Sequence, residues 1–167
     1  ADRTLAEAWQ SRRAYPLVVT QGDGNLGVKG KNFEMLFSIA GAGPASLKVN
    51  GTEWLWRAPR PAFWRASTDN DRGCGFPLRA AAWMAADVFV TYNGMKVLEA
   101  GPDCVKVQFQ FGIPTVPGAS AELVYTVEAQ GALRVDAVYH GVAGAPELPC
   151  FGVKFETFGP VTRTVWT

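Results

Sequence analysis

Apolar and polar residues alternate strictly over residues 104–111, CVKVQFQF. Val105, Val107, Phe109 and Phe111 fall on one side, and Lys106, Gln108 and Gln110 on the other. A period of two is the mark of a strand with one buried and one wet face. The pattern recurs over residues 133–139, where Leu133, Val135, Ala137 and Tyr139 oppose Arg134 and Asp136. It recurs again over 151–155, with Phe151, Val153 and Phe155 opposing Lys154. Residues 122–128, ELVYTVE, are more apolar on both sides, which suits a central strand. Upstream, residues 25–28, 33–37, 46–49 and 53–55 predict two hairpins. Their turns fall at Gly30-Lys31-Asn32 and at Asn50-Gly51, the second a strong hairpin signal. Residues 128–131 turn one later strand into the next.

Only residues 77–86, PLRAAAWMAA, have helical character. Pro77 suits a first turn, where its missing N–H costs nothing, and the alanines favour helix. Residues 1–16 are polar, end at Tyr15-Pro16, and read as an incoming linker with one helical turn at 5–9. A last strand is expected at 161–167, ending on Trp166-Thr167 without a turn, as though a domain had been cut. Many short antiparallel strands with one short helix predict an all-β class: a single antiparallel β-sandwich over 17–167. Helix-length patterns for a parallel α/β sheet are absent.

Composition narrows the function classes. With 16 basic and 15 acidic residues in 167, the net charge is +1. No basic stripe exists to hold nucleic acid, and the pair Arg12-Arg13 reads as solvated surface. No apolar run is long enough for a transmembrane helix, and residues 1–13 carry charge where a secretory signal has its apolar centre. The three cysteines, Cys74, Cys104 and Cys150, form no CxxC pair. They point to free thiols in a reducing, cytoplasmic compartment rather than to a zinc site.

Catalytic chemistry finds little to work with. His140 is the sole histidine and sits at a strand end beside Gly141. The glycine-rich residues 22–30, GDGNLGVKG, precede no helix whose N-terminus would bind a phosphate, and read as a hairpin turn. Asp69 and Asp71 are the only tightly spaced carboxylates. In an extended segment they point to opposite sides and do not flank one glycosidic bond; shaping a tight turn is the simpler role for them. No catalytic residue and no metal ligand is assigned.

Residues 60–73, RPAFWRASTDNDRG, nevertheless form an unusual stretch, in which Phe63 and Trp64 run straight into Asp69, Asn70, Asp71, Arg72 and Gly73. This stretch resembles the motif of the small-chain domain of family 2 β-galactosidases of the LacZ type. The match covers Arg60, Pro61, Phe63, Trp64, Arg65, Ala66, Thr68, Asp69, Asn70, Asp71 and Gly73, with Trp83 on a following helix. The resemblance extends from about residue 18 to the end. It implies the first half of a β-supersandwich related to the galactose mutarotase fold, behind a catalytic (β/α)8 barrel. The acid/base and nucleophile glutamates would then lie in the barrel, and the magnesium and sodium ions common in the family would be bound outside this chain.

On this resemblance the partners are the remaining domains of the parent enzyme, above all the barrel. A galactoside would be met only in the full enzyme, and unpaired sheet edges would favour homo-oligomers. Phe63 and Trp64 would anchor the segment, and Asp69, Asn70, Asp71, Arg72 and Gly73 would form a substrate-proximal loop. Gly73 and Gly75, free to take positive φ, would allow that loop to gate access. An alternative is an independent carbohydrate-binding module that stacks sugars on Trp54, Trp56, Trp64 or Trp83.

Overall fold

A computed structural model describes residues 15–158. The expected linker turn at 5–9 and the strand at 161–167 lie outside the described residues. Among the described residues eleven strands and three short helices follow one another: β1 (Val18–Gln21), β2 (Asn25–Lys29), β3 (Phe33–Ser38), β4 (Gly43–Val49), β5 (Thr52–Glu53), β6 (Leu55–Ala62), α1 (Asp69–Gly73), α2 (Phe76–Arg79), α3 (Ala81–Phe89), β7 (Thr91–Ala100), β8 (Cys104–Gly112), β9 (Ser120–Glu128), β10 (Leu133–His140) and β11 (Gly152–Thr157).

The strands build a five-stranded sheet in the order β1-β2-β3-β4-β5, a four-stranded sheet in the order β10-β9-β8-β7, and a two-stranded ribbon of β11 and β6. All pairings are antiparallel. The expected antiparallel β-sandwich is therefore present. Its two main sheets meet through the apolar faces that alternation marked out. Leu26, Val28, Met35 and Phe37 come from one sheet, and Val105, Val107, Phe109, Leu123, Tyr125 and Val127 from the other, all buried in one continuous core. Phe37 lies 6.1 Å from Phe109 and 5.7 Å from Tyr125 between ring centres, within the range of favourable aromatic pairs. The apolar strand β9 is flanked by β8 and β10 on its two sides, as its composition predicts.

The turns follow their residues. Asn50 and Gly51 both take left-handed φ, 51° and 80°, which a two-residue hairpin matched to strand twist requires.

Alternation fails where the ladder slips. Along β11 and β6 the register shifts twice, and β6 holds the extra residue each time. Phe155, placed on the buried side by period two, is half exposed beside such a slip. The strand expected at 53–55 is broken at Trp54. The Glu53 carboxylate accepts the backbone N–H groups of Leu47 (2.9 Å), Trp54 (3.1 Å) and Leu55 (3.1 Å), drawing the chain around itself before β6 begins. Strand β7 carries no strict period because Asn93 and Leu98 are bulged out of its ladder with β8.

The single helix expected at 77–86 is instead two, α2 and α3, broken at Ala80, and residues 69–73 form a further short helix, α1. Together they form an excursion between β6 and β7. Its inner side is held by an aromatic cluster in which Phe63 stacks on Phe151 (5.8 Å) and meets Trp83 (5.8 Å), while Trp83 meets Tyr139 (5.7 Å). Trp83 and Phe63 are fully buried. The Trp83 indole donates to the Pro146 carbonyl at 3.0 Å, and the Phe63 backbone N–H donates to Asp87 at 2.5 Å.

Candidate functional site

The Asp-Asn-Asp segment is a capped helical turn rather than an open loop. Thr68 is its N-cap: the Thr68 hydroxyl accepts the Asp71 N–H at 3.2 Å, and the Asp71 carboxylate accepts the Thr68 N–H at 2.8 Å. This reciprocal capping box satisfies two backbone donors that a helix start leaves open. The sequence signal was present as a threonine followed three residues later by an acid, and reading the segment as extended missed it.

Asp71 is further held by Arg65, whose two terminal nitrogens lie 2.6 and 3.2 Å from its two oxygens. Two parallel charge-assisted bonds of this kind combine strength with fixed geometry. The Arg65 bond, followed by the Thr68 backbone bond, holds the Asp71 carboxyl well below its ordinary value of 3.8. The same guanidinium donates to the Ala66 carbonyl at 3.1 Å and, through Nε, to the Pro149 carbonyl at 3.3 Å. Arg65 therefore ties α1 to the connection between β10 and β11.

The other polar residues of the segment face solvent. Asp69 and Arg72 form an exposed ion pair at 3.1 Å, a kind of contact that contributes little to stability, and Asn70 is exposed. The two aspartates thus have separate partners and do not make a paired-carboxylate site. Gly73 ends α1 without positive φ. The left-handed position is Gly75, at φ 67°, which starts α2. Arg79 folds back onto the Cys74 carbonyl.

The tryptophans separate into two groups. Trp83 is fully buried and offers no free face for a sugar, and Trp64 is half-buried against the core. Trp54 and Trp56 are exposed, and Trp56 meets Phe158 edge-on at 4.8 Å. His140 lies 3.5 Å from Glu122, which also accepts from Gln108 at 2.6 Å, on the wet face of the four-stranded sheet. The cysteines are free. Cys104 and Cys150 are half-buried, and burial raises both thiols above their ordinary value. Among the described residues no group of three or more His, Cys, Asp or Glu is placed to hold a metal ion. No described helix is long and apolar enough to cross a membrane.

Comparison with known proteins agrees with the segment's motif. The family model described as β-galactosidase small chain matches residues 29–167. The β-galactosidase small subunit of Latilactobacillus sakei is 41% identical over 169 residues, covering 90% of this chain and 53% of that subunit. The β-galactosidase of Clostridium acetobutylicum is 35% identical over 148 residues, covering 89% of this chain and 16% of that enzyme. The β-galactosidase of Streptococcus thermophilus is 37% identical over 140 residues, covering 84% of this chain and 14% of that enzyme. The chain therefore spans about half the length of the small subunit and about one-sixth of the longer enzymes. With 139 consecutive residues matched by the family model, the chain belongs to the β-galactosidase small-chain family.

Proposed function

We propose that this chain is a non-catalytic β-sandwich part of a retaining family 2 β-galactosidase of the LacZ type. The rest of that enzyme, a catalytic barrel above all, supplies the glutamates that cleave a terminal β-galactoside. Any magnesium or sodium the enzyme uses is held by those other parts, and the assembly works in the cytoplasm. In this reading the sandwich supports the barrel, and α1 borders the entrance to the active site.

The observation that carries the reading is the state of Asp71. The most constrained carboxylate of the motif is committed to Arg65 and Thr68, so it fixes the shape of α1 and is not free to move a proton. What α1 offers outward is Asp69, Asn70 and Arg72, a polar tip suited to lining an entrance.

The test is hydrolysis of a chromogenic galactoside by the purified chain, by the remaining β-galactosidase polypeptide, and by the two combined. The chain alone is expected to be inactive, and the combination more active than the remaining polypeptide. Turnover by the chain alone refutes the reading.

The exposed Trp54 and Trp56 favour one second reading, a saccharide-binding surface. It predicts quenching or enhancement of tryptophan fluorescence when galactose or lactose is titrated into the chain, lost in Trp56→Ala. A flat titration removes it.

A further inference from the structure

The register slips in the β6–β11 ribbon decide what that ribbon presents. On β11, Lys154 and Glu156 are two residues apart and share a face. Their partners on β6, Arg60 and Arg57, are three apart; on a regular strand they would point to opposite sides. The extra residue that β6 holds between them brings both arginines to the side of Lys154 and Glu156, and re-aiming side chains is what a bulge does. All four line a cavity of about 480 Å³, which opens where the ribbon meets the turn between β3 and β4 and the start of β7. Their charges do not cancel. Glu156 pairs with Arg57 at 3.5 Å, while Arg60 stands directly opposite Lys154 in the ladder. Neither of those two joins an ion pair among the described residues. Like charges directly opposite one another destabilise a sheet.

We propose that this cavity binds a hexose carrying a carboxylate or a phosphate. Arg60 and Lys154 receive the anionic group, which gives them the counter-charge that no described residue supplies; charge-assisted hydrogen bonds of this kind are the strong ones. The Arg57–Glu156 pair sets donors and an acceptor side by side for hydroxyl groups. Trp56, an exposed lining residue held edge-on against Phe158, supplies a flat apolar surface for the C–H face of the ring. Tyr92 lines the cavity from β7, and its hydroxyl is buried with no hydrogen-bond partner among the described residues; such a group needs an explanation, and a ligand hydroxyl gives one. The volume falls in the range of small-molecule sites. The proposal goes beyond the function given above and does not depend on it, since it involves binding and no bond cleavage.

Isothermal titration calorimetry on the 167-residue chain carries the test, with galacturonate and galactose 6-phosphate as probes and with galactose and inorganic phosphate as references. At least one anionic hexose is expected to bind about tenfold or more tighter than either reference. Arg60→Gln and Lys154→Gln are each expected to weaken that binding about tenfold, as the loss of a charge-assisted hydrogen bond does, and Trp56→Ala to weaken it as well. Trp54→Ala and Lys96→Gln, at exposed positions that do not line the cavity, are expected to leave it unchanged. Without ligand the Lys154→Gln chain should unfold in urea at a midpoint no lower than wild type, because the opposed charges are relieved. Its loss of binding then reports the site and not the fold.

A preference for galacturonate over galactose 6-phosphate, or the reverse, supports the proposal and assigns the anionic group. Galactose binding as tightly as the anionic hexoses overturns it, because the cations then contribute nothing. Inorganic phosphate binding as tightly as both hexoses overturns it too: the ribbon then holds an adventitious ion only. Binding that survives Arg60→Gln combined with Lys154→Gln, or no binding by any probe, has the same consequence. If adding the remaining β-galactosidase polypeptide abolishes binding, the two cations belong to a contact with that polypeptide, and the proposal falls. Hydrolysis measurements bear on the proposed function alone, so its failure and the failure of this proposal are told apart.

Discussion

Glu53 is expected to be the most stabilising carboxylate in the described part of the sandwich, and replacing it measures why β5 and β6 are separate strands. Its Oε1 accepts three backbone N–H groups, from Leu47, Trp54 and Leu55, and its Oε2 accepts the Ser46 hydroxyl. Burial works against the charge, but the Ser46 bond and the three backbone bonds outweigh it and hold the carboxyl below the ordinary 4.5.

In Glu53→Ala these donors lose their acceptor. A hydrogen bond to a charged group contributes about 1.5–3 kcal/mol, and a buried donor left unpaired costs about 1–3 kcal/mol. The site is only half-buried, so water rescues part of this. A net loss of about 2–4 kcal/mol is expected. Glu53→Gln keeps one acceptor oxygen for the backbone groups and loses the charge, which roughly halves the strength of each bond; its cost should be about 1 kcal/mol.

The assay is urea unfolding followed by circular dichroism at pH 7 and again at lower pH. Because the folded-state pKa is lowered, the ionised carboxylate's contribution is fully present above the unfolded value and is lost as pH falls through the folded one. The gap between wild type and Glu53→Gln should therefore hold steady above about pH 5 and close below about pH 4.3. A Glu53→Ala chain within about 0.5 kcal/mol of wild type, or a gap that widens on acidification, refutes the reasoning.

Further substitutions probe the excursion. Phe63→Ala removes a fully buried ring from the cluster with Trp83, Tyr139 and Phe151 and should destabilise the chain by about 3–5 kcal/mol in urea unfolding. Gly75→Ala places a side chain at φ 67° and should cost about 1–2 kcal/mol. Gly73→Ala, with an ordinary φ and no atom within 4 Å of the added carbon, should leave the unfolding midpoint unchanged; a changed kcat in the assembled enzyme would then tie α1 to gating. Carbon-detected NMR should find the Asp71 carboxylate still ionised near pH 3, since Arg65 and Thr68 hold its pKa below the ordinary value, and Arg65→Gln should bring its titration back toward that value.

Most of the sandwich was legible because a strand with one wet face writes its orientation into every second residue. Val105 through Phe111 and Leu123 through Val127 show this most plainly: their register fixes the core. Legibility failed where side chains, rather than periodicity, shape the backbone. Glu53 ends a strand by collecting amides, bulges at Asn93 and Leu98 erase the period of β7, and Phe155 is turned outward beside a slip. At the site the motif carried the family, and its length and polarity suggested an exposed loop. Yet the threonine three residues before Asp71 specifies a helix start, and the reach of Arg65 to Pro149 crosses 84 residues of sequence, a link that no local pattern records.

The same contrast bears on how the chain works in a larger enzyme. The parts of the excursion that face the sandwich are over-determined: Trp83 and Phe63 are sealed in aromatic contacts, and Asp71 is held by three hydrogen-bonding groups from Arg65 and Thr68. The parts that face outward are unsatisfied in complementary ways. The tip of α1 carries a solvated ion pair, and α3 carries apolar side chains that water does not favour. A rigid base with an unsatisfied outer face suits an element that positions something else, because ordering it on contact costs little conformational entropy. If α1 gates an entrance, its motion must then involve the few bonds of Arg65 and the freedom at Gly75, since the capping box and the aromatic cluster hold the rest in place.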